Sequence, residues 1–208
     1  MFTARQGDLN PIITYVQPIV SAEDNYLLTI PFSEQEFKEA IFSMHPDKYP
    51  GPDGLNPAFY HHFWDEIGAE LYSDAVSWIN FGQLPQGLNE TNIVLAPKGD
   101  SPESMKDLRP ISLCNVLYKI ISKVLANRLR PLIDKWISPE QATFVRSRSI
   151  MDNALTAFEI LHQMRCKTKG KKGEIALELD ISKAFDSVSW EYMHAILIKL
   201  GFCHQWVN

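Results

Sequence analysis

The chain has 208 residues, 45% of them hydrophobic and 22% charged, the make-up of an ordinary globular protein with one sizeable core. No apolar run approaches bilayer length, and the first residues, Met-Phe-Thr-Ala-Arg-Gln-Gly-Asp, lack the basic-then-apolar order of a signal peptide. Three widely spaced cysteines (Cys114, Cys166, Cys203) exclude a paired disulfide framework and a Cys-x-x-Cys zinc site, so an intracellular location, nuclear or cytoplasmic and not secreted, is expected.

The net charge of −5 hides an uneven distribution. Residues 1–97 carry 3 Lys/Arg against 13 Asp/Glu, residues 98–172 carry 15 against 7, and residues 173–208 carry 2 against 5. A basic middle within an acidic chain suits a polyanion-binding surface, although charge alone equally allows a solvated mixed surface.

Residues 1–30 show weak periodicity and read as an irregular lead-in. Ser33-Glu34-Gln35-Glu36 is a capping box, and Phe37, Ala40, Ile41 and Met44 give the helix behind it one apolar face until Pro46. Lys48 to Gly54 (Lys-Tyr-Pro-Gly-Pro-Asp-Gly) reads as a turn-rich loop. Asn56 and Pro57 open a further helical stretch, and another helix follows from about Glu66 to Phe81, stopped by Gly82. Thr91–Ala96 and Arg109–Leu113 are extended runs around a charged loop, which predicts a hairpin. Asn115 is placed to cap a long helix whose apolar residues recur at Val116, Ile120, Val124 and Leu125, with Pro131 near its end. A helix over about Met151–Met164 precedes a basic loop from Arg165 to Gly173. Glu174–Asp180 alternates like a strand, and a last helix spans about Trp190–Leu200 before Gly201. This mixture of helices and strands indicates an α/β or α+β fold.

Leu179-Asp180-Ile181-Ser182-Lys183-Ala184-Phe185-Asp186 is the segment richest in chemistry. A carboxylate where a strand ends is held firmly at a cleft, which suits a divalent-cation ligand for phosphoryl transfer. Two aspartates alone fit turn or helix-cap roles better. Lys98 and Arg109 flank the hairpin loop and together could grip a triphosphate, or be solvated hairpin charges. The glycines of Pro50–Gly54 could offer backbone N–H groups to a phosphate, or serve as a rigid connector. Phe144-Val145-Arg146-Ser147-Arg148 sets an aromatic beside two cations, a pattern met in nucleic-acid contacts. The six histidines form no ligand set.

Six segments in order carry more than any one of them. They are Pro-Gly-Pro-Asp-Gly (50–54), Leu-Ala-Pro-Lys (95–98), Leu-Arg-Pro-Ile-Ser-Leu-Cys-Asn (108–115) running on into Tyr118–Leu129, Ile-Ser-Pro-Glu-Gln (137–141), Ile-Met-Asp-Asn-Ala (150–154) and the Asp180 motif. Together, over residues 30–208, they resemble the reverse transcriptase of non-LTR, LINE-type retrotransposons of the plant type.

The resemblance implies a right-hand polymerase, with fingers over 31–172 and the palm starting at 173–208, an incomplete domain. It makes Asp180 the first catalytic, metal-binding aspartate, with Mg²⁺ as two ions in the complete enzyme. Lys98, Arg109, Lys183, Ala184 and Phe185 would bind the dNTP, the Phe185 ring blocking a ribose 2′-OH. Gly51, Asp53, Gly54, Phe144 and Arg148 would line the template. An RNA template, a DNA primer and dNTPs are the expected partners, with the parent polypeptide's palm and thumb, and no membrane.

Arg146-Ser147 stands where the family carries Pro-Gly. The second carboxylate motif is expected beyond Asn208, so the chain alone is expected to be inactive. No endonuclease-like region precedes residue 30, and Arg5-Gln6-Gly7-Asp8 echoes a later family motif out of order. A non-catalytic nucleic-acid-binding remnant is the alternative from another class, and a group II intron maturase-like fragment a third. The run Arg109–Leu129 sits closer to the LINE type than to the maturase.

Overall fold

The computed structural model describes residues 13–143, 145, 148–167, 173, 175–179 and 188–207. It divides into two compact units, Ile30–Arg130 and Met1–Thr29 with Pro131–Asn208.

In the Ile30–Arg130 unit, α2 (Glu34–Phe42) starts as its capping box predicts: Ser33 Oγ accepts from the Glu36 N–H, and the Glu36 carboxylate accepts from the Ser33 N–H at 2.8 Å. Two of the orphan donors of the first turn are thereby satisfied. Phe37, Ala40 and Ile41 of this helix are fully buried. Asn56 caps α3 (Pro57–His62) by accepting from the Phe59 N–H, and α4 (Trp64–Phe81) ends on Gly82 at φ 64°, where a side chain would strain the left-handed turn.

The core lies where α2, α3, α4 and the start of α5 (Val116–Trp136) meet, with Phe37, Ile41, Trp64, Val116, Ile120 and Val124 at its centre. Each large side chain buried there contributes roughly 1.5–3 kcal/mol. Tyr60 sits in the same core, and burial, helped by the Asp53 charge, pushes its phenol up to about 12.

Arg128 of α5 fastens the start of α2. Its guanidinium forks onto the Glu36 carboxylate at 2.7 and 3.0 Å, donates to the Ile30 and Pro31 carbonyls, and covers the Phe32 ring at 3.7 Å. Burial alone would raise the Glu36 carboxyl, but the hydrogen bonds from Arg128 and the Ser33 N–H outweigh it and hold the group below its ordinary value.

The predicted hairpin is present. β1 (Thr91–Pro97) and β2 (Leu108–Cys114) are antiparallel, in register from Thr91 opposite Cys114 to Pro97 opposite Leu108. A short 3₁₀ turn (Met105–Asp107) closes the charged loop. Ile93, Val94, Leu95 and Ile111 are exposed, so the hairpin is not held by burial along its length. An isolated two-stranded ribbon is marginal in water, which makes its base the place where order must be imposed.

The other unit corrects two sequence expectations. The lead-in predicted to be irregular contains helix α1 (Ala22–Thr29), started by Ser21 Oγ accepting from the Asp24 N–H while the Asp24 carboxylate accepts from the Ser21 N–H. The helix lacks an apolar stripe, so periodicity could not reveal it; its signal was the reciprocal Ser21–Asp24 cap. The alternating run at 174–180 forms no strand among its described residues, 175–179, where Ile175, Leu177 and Leu179 are exposed. Alternation marks a strand only when another strand is there to pair with it, and the one described sheet is the β1–β2 hairpin.

Pro131 also falls earlier in its helix than expected, since α5 runs on to Trp136. In this unit Lys135 donates to Asp24 at 2.9 Å, and that bond, with the one from the Ser21 N–H, lowers the Asp24 carboxyl to about 2. Asn25 donates to the Gly201 carbonyl and accepts from the Cys203 N–H, both at 2.7 Å. These bonds tie α1 to the end of α7 (Trp190–Leu200), while α6 (Ile150–Cys166) and the short α8 (His204–Val207) complete the unit. No helix among the described residues is long and apolar enough to cross a membrane.

Candidate functional site

The hairpin fixes where Lys98 and Arg109 stand. Arg109 pairs with Ala96 across the ladder, and Lys98 stands one residue beyond the end of β1, so both cations lie at the loop end of the hairpin. The Lys98 N–H donates to the Asp107 carbonyl at 2.8 Å and its ammonium to the Lys106 carbonyl at 2.5 Å, which holds the long side chain at the loop. Hydrogen bonds from Ser104, side chain and backbone, lower the Asp107 carboxyl, and the Lys98 charge adds to them. Arg109 is exposed.

Gly51, Asp53 and Gly54 occupy a loop pressed onto the start of α5. A Cβ at Gly51 would lie 2.3 Å from Asn115 Oδ1, 2.4 Å from the Asn115 N and 2.6 Å from the Cys114 carbonyl carbon. Only glycine fits that approach. The Gly54 N–H closes a turn onto the Gly51 carbonyl at 3.1 Å, so this N–H is engaged rather than offered to a phosphate. The Asp53 N–H donates to Asn115 Oδ1 at 3.2 Å, and the Asp53 carboxylate accepts from the Leu55 N–H.

Asn115 is the residue the sequence undervalued. Expected only to cap α5, it is buried, and its carboxamide turns elsewhere: Oδ1 takes the Asp53 N–H while Nδ2 donates to the Gly87 and Leu88 carbonyls at 3.2 Å. Leu88 precedes β1 and Asn115 follows β2, so one side chain ties both feet of the hairpin and the Gly51–Gly54 loop together. An asparagine between an extended run and a helix was the available signal, but both a cap and a bridge fit it.

Arg148 belongs to the other unit and is largely engaged. It donates to the Ser138, Gln141 and Ile137 carbonyls, with Asp134 at 3.9 Å, and so shapes the turn after α5. Asp180, Lys183, Ala184, Phe185 and Phe144 lie outside the described residues, as do Arg146 and Ser147 of the Pro-Gly departure. Among the described residues no group of three or more His, Cys, Asp or Glu could hold a metal ion. His61 lies against the Ile41 carbonyl at 2.8 Å and stacks on Phe42, a packing role.

Residues 96–208, more than half the chain, match the family described as reverse transcriptase (RNA-dependent DNA polymerase), and the chain belongs to that family. Its relatives narrow the branch to non-LTR retrotransposons. It is 32% identical over 92% of its length to the "Transposon TX1 uncharacterized 149 kDa protein" of Xenopus laevis. It is 31% identical over 81% of its length to the "Retrovirus-related Pol polyprotein from type-2 retrotransposable element R2DM" of Drosophila melanogaster. A Pol polyprotein from a type-1 R2 element of Nasonia vitripennis is 29% identical over 76% of the chain. The chain spans 14–15% of the length of these relatives. Its mixture of helices with a small antiparallel sheet agrees with part of a reverse transcriptase fingers and palm.

Proposed function

We propose that this chain supplies the nucleotide-gripping and template-side part of an RNA-directed DNA polymerase encoded by a LINE-type retroelement. The observation that carries the reading is that Lys98 and Arg109 both stand at the loop end of the β1–β2 hairpin, inside the segment that matches the family. Residues 31–172 act as fingers and 173–208 begin the palm. Arg109 binds triphosphate oxygens through its planar fork, and Lys98 adds a point charge from the loop end.

Asp180 is the first catalytic carboxylate, with Lys183, Ala184 and Phe185 beside the incoming nucleotide and the Phe185 ring excluding a 2′-OH. The family works with divalent metal ions, and Mg²⁺ is the one proposed for this chain, held in part by Asp180. When bound, such ions neutralise charge developing on the transferred phosphoryl group. Gly51, Asp53 and Gly54 shape the template path through their contact with Asn115. Phe144 and Arg148 are the further residues proposed to contact template. RNA template, DNA primer and dNTPs are the partners, within the cell.

The test uses a polypeptide joining these residues to the rest of a non-LTR polymerase domain. Lys98→Ala and Arg109→Ala should each raise the KM for dNTP at least tenfold while leaving RNA affinity within about twofold. Unchanged dNTP KM in both variants would remove the hairpin from nucleotide binding.

A further inference from the structure

Between Val116 and Arg130 the long helix carries four cations, Lys119, Lys123, Arg128 and Arg130, and no carboxylate. Arg128 is engaged by Glu36. The other three recur at i, i+4 and i+11, which at 100° per residue keeps them within about 40° of one another around the axis. Ala126, small and exposed, lies beside them on the same stripe. Along the axis the cations are separated by about 6 and about 10 Å, close enough for their fields to add within a Debye length.

The loop before Pro50 joins this stripe. Lys119 Nζ donates to the Tyr49 carbonyl at 3.1 Å, which fixes Lys48 and Tyr49 beside the helix. Tyr49 is 76% exposed, its ring open to solvent on the residue whose carbonyl Lys119 holds. Partial burial lowers the Lys123 pKa, and the charges of Lys48 and Arg130 lower it further, which places the three close together. Among the described residues Lys48, Lys123 and Arg130 have no side-chain hydrogen bond or ion pair. Asp47, the nearest acid in sequence, lies 3.8 Å from His45.

We infer that Lys48, Lys119, Lys123 and Arg130, with Tyr49 as a stacking platform, form a binding surface for the sugar-phosphate backbone of single-stranded RNA. Cations alone would suit any polyanion. An exposed aromatic on the residue that Lys119 anchors favours a ligand that has a flat π-face as well as regular negative charge. An acidic peptide has only the second. The surface deepens the polymerase reading by assigning template contact to residues outside the motif loops, and it rests on that reading.

The test is fluorescence anisotropy of a labelled 12-nucleotide RNA with the full 208-residue chain, titrated at several salt concentrations. Lys123→Glu with Arg130→Glu should weaken binding at least tenfold at low salt and flatten the log–log salt slope by about 0.7 for each phosphate no longer neutralised. Tyr49→Ala should weaken binding about fivefold or more with the slope unchanged, because stacking releases no counterions. Lys123→Arg should bind like the parent, and Lys199→Glu, a reversal on α7, should change little. Circular dichroism matching the parent's shows that the surface variants fold.

Affinity unmoved by the double reversal, or lost equally with Lys199→Glu, would overturn the assignment. Competition by poly-glutamate as strong as by unlabelled RNA of equal charge would overturn it in favour of an acidic protein partner. Stripe-dependent binding without primer extension in the joined polypeptide would keep the surface and remove the polymerase reading. Extension with stripe-independent binding would do the reverse.

Discussion

Gly51 and Gly54 sit three residues apart in one loop, yet an alanine should cost very different amounts at the two. At Gly54 the added Cβ meets nothing within 4 Å, and the only cost is the left-handed backbone at φ 73°, about 1–2 kcal/mol. At Gly51 the Cβ would collide at 2.3, 2.4 and 2.6 Å with Asn115 and Cys114, and two of those three atoms are backbone that no rotamer change can move. The loop must lift away. Overpacking of that kind costs roughly 1–3 kcal/mol. Lifting also breaks the Asp53 and Lys119 hydrogen bonds to Asn115 and Tyr49, each contributing about 0.5–1.5 kcal/mol. The total for Gly51→Ala is about 2–6 kcal/mol, two to three times that for Gly54→Ala. With a urea slope of about 2 kcal/mol per molar, the midpoints should fall by about 1–3 M and by about 0.5–1 M. Amide exchange over 49–54 and 115–124 during unfolding confines the readout to the Ile30–Arg130 unit. Equal midpoints for the two alanines would show that the loop does not press on α5 as described.

Asn115→Ala removes three hydrogen bonds and strands the Asp53 N–H and the Gly87 and Leu88 carbonyls, so a loss of about 2–4 kcal/mol is expected in the same assay. A change under 0.5 kcal/mol would deny it the junction role. Asp24 has a folded pKa of about 2 against an ordinary 3.8, so its contribution is complete above about pH 4 and fades as pH falls through 2. Carboxyl carbon shifts titrating near 3.8 would contradict the Lys135 contact. Tyr60, raised to about 12, should remain unionised at pH 11 in difference absorbance, whereas a tyrosine ionising near 10 would place it outside the core.

Much of the fold was legible because it rests on local chemistry. The Ser33 capping box, the Asn56–Pro57 start, the Gly82 and Gly201 stops and the paired extended runs each specify structure within a few residues. What escaped depends on distant partners. Asn115 looks like a cap until the 51–54 and 87–88 turns are brought to it, and Arg128 looks like another helix-surface cation until Glu36 and the Ile30 and Pro31 carbonyls surround it. The basic stripe was diluted in a 75-residue charge count that included engaged cations such as Arg148 and omitted Lys48. Family membership came from the order of six motifs, since no single site residue carried it.

The central claim is RNA-templated DNA synthesis through the Asp180 motif, and primer extension on a primed RNA template with Mg²⁺ addresses it directly. In the joined polypeptide, Phe185→Ala should still extend with dNTPs and should accept rNTPs far more readily than the parent, because alanine opens space under the sugar that a dense site cannot refill. Asp180→Ala should abolish extension with either nucleotide. Extension that survives Asp180→Ala, or an unaltered preference for dNTPs in Phe185→Ala, would contradict the account.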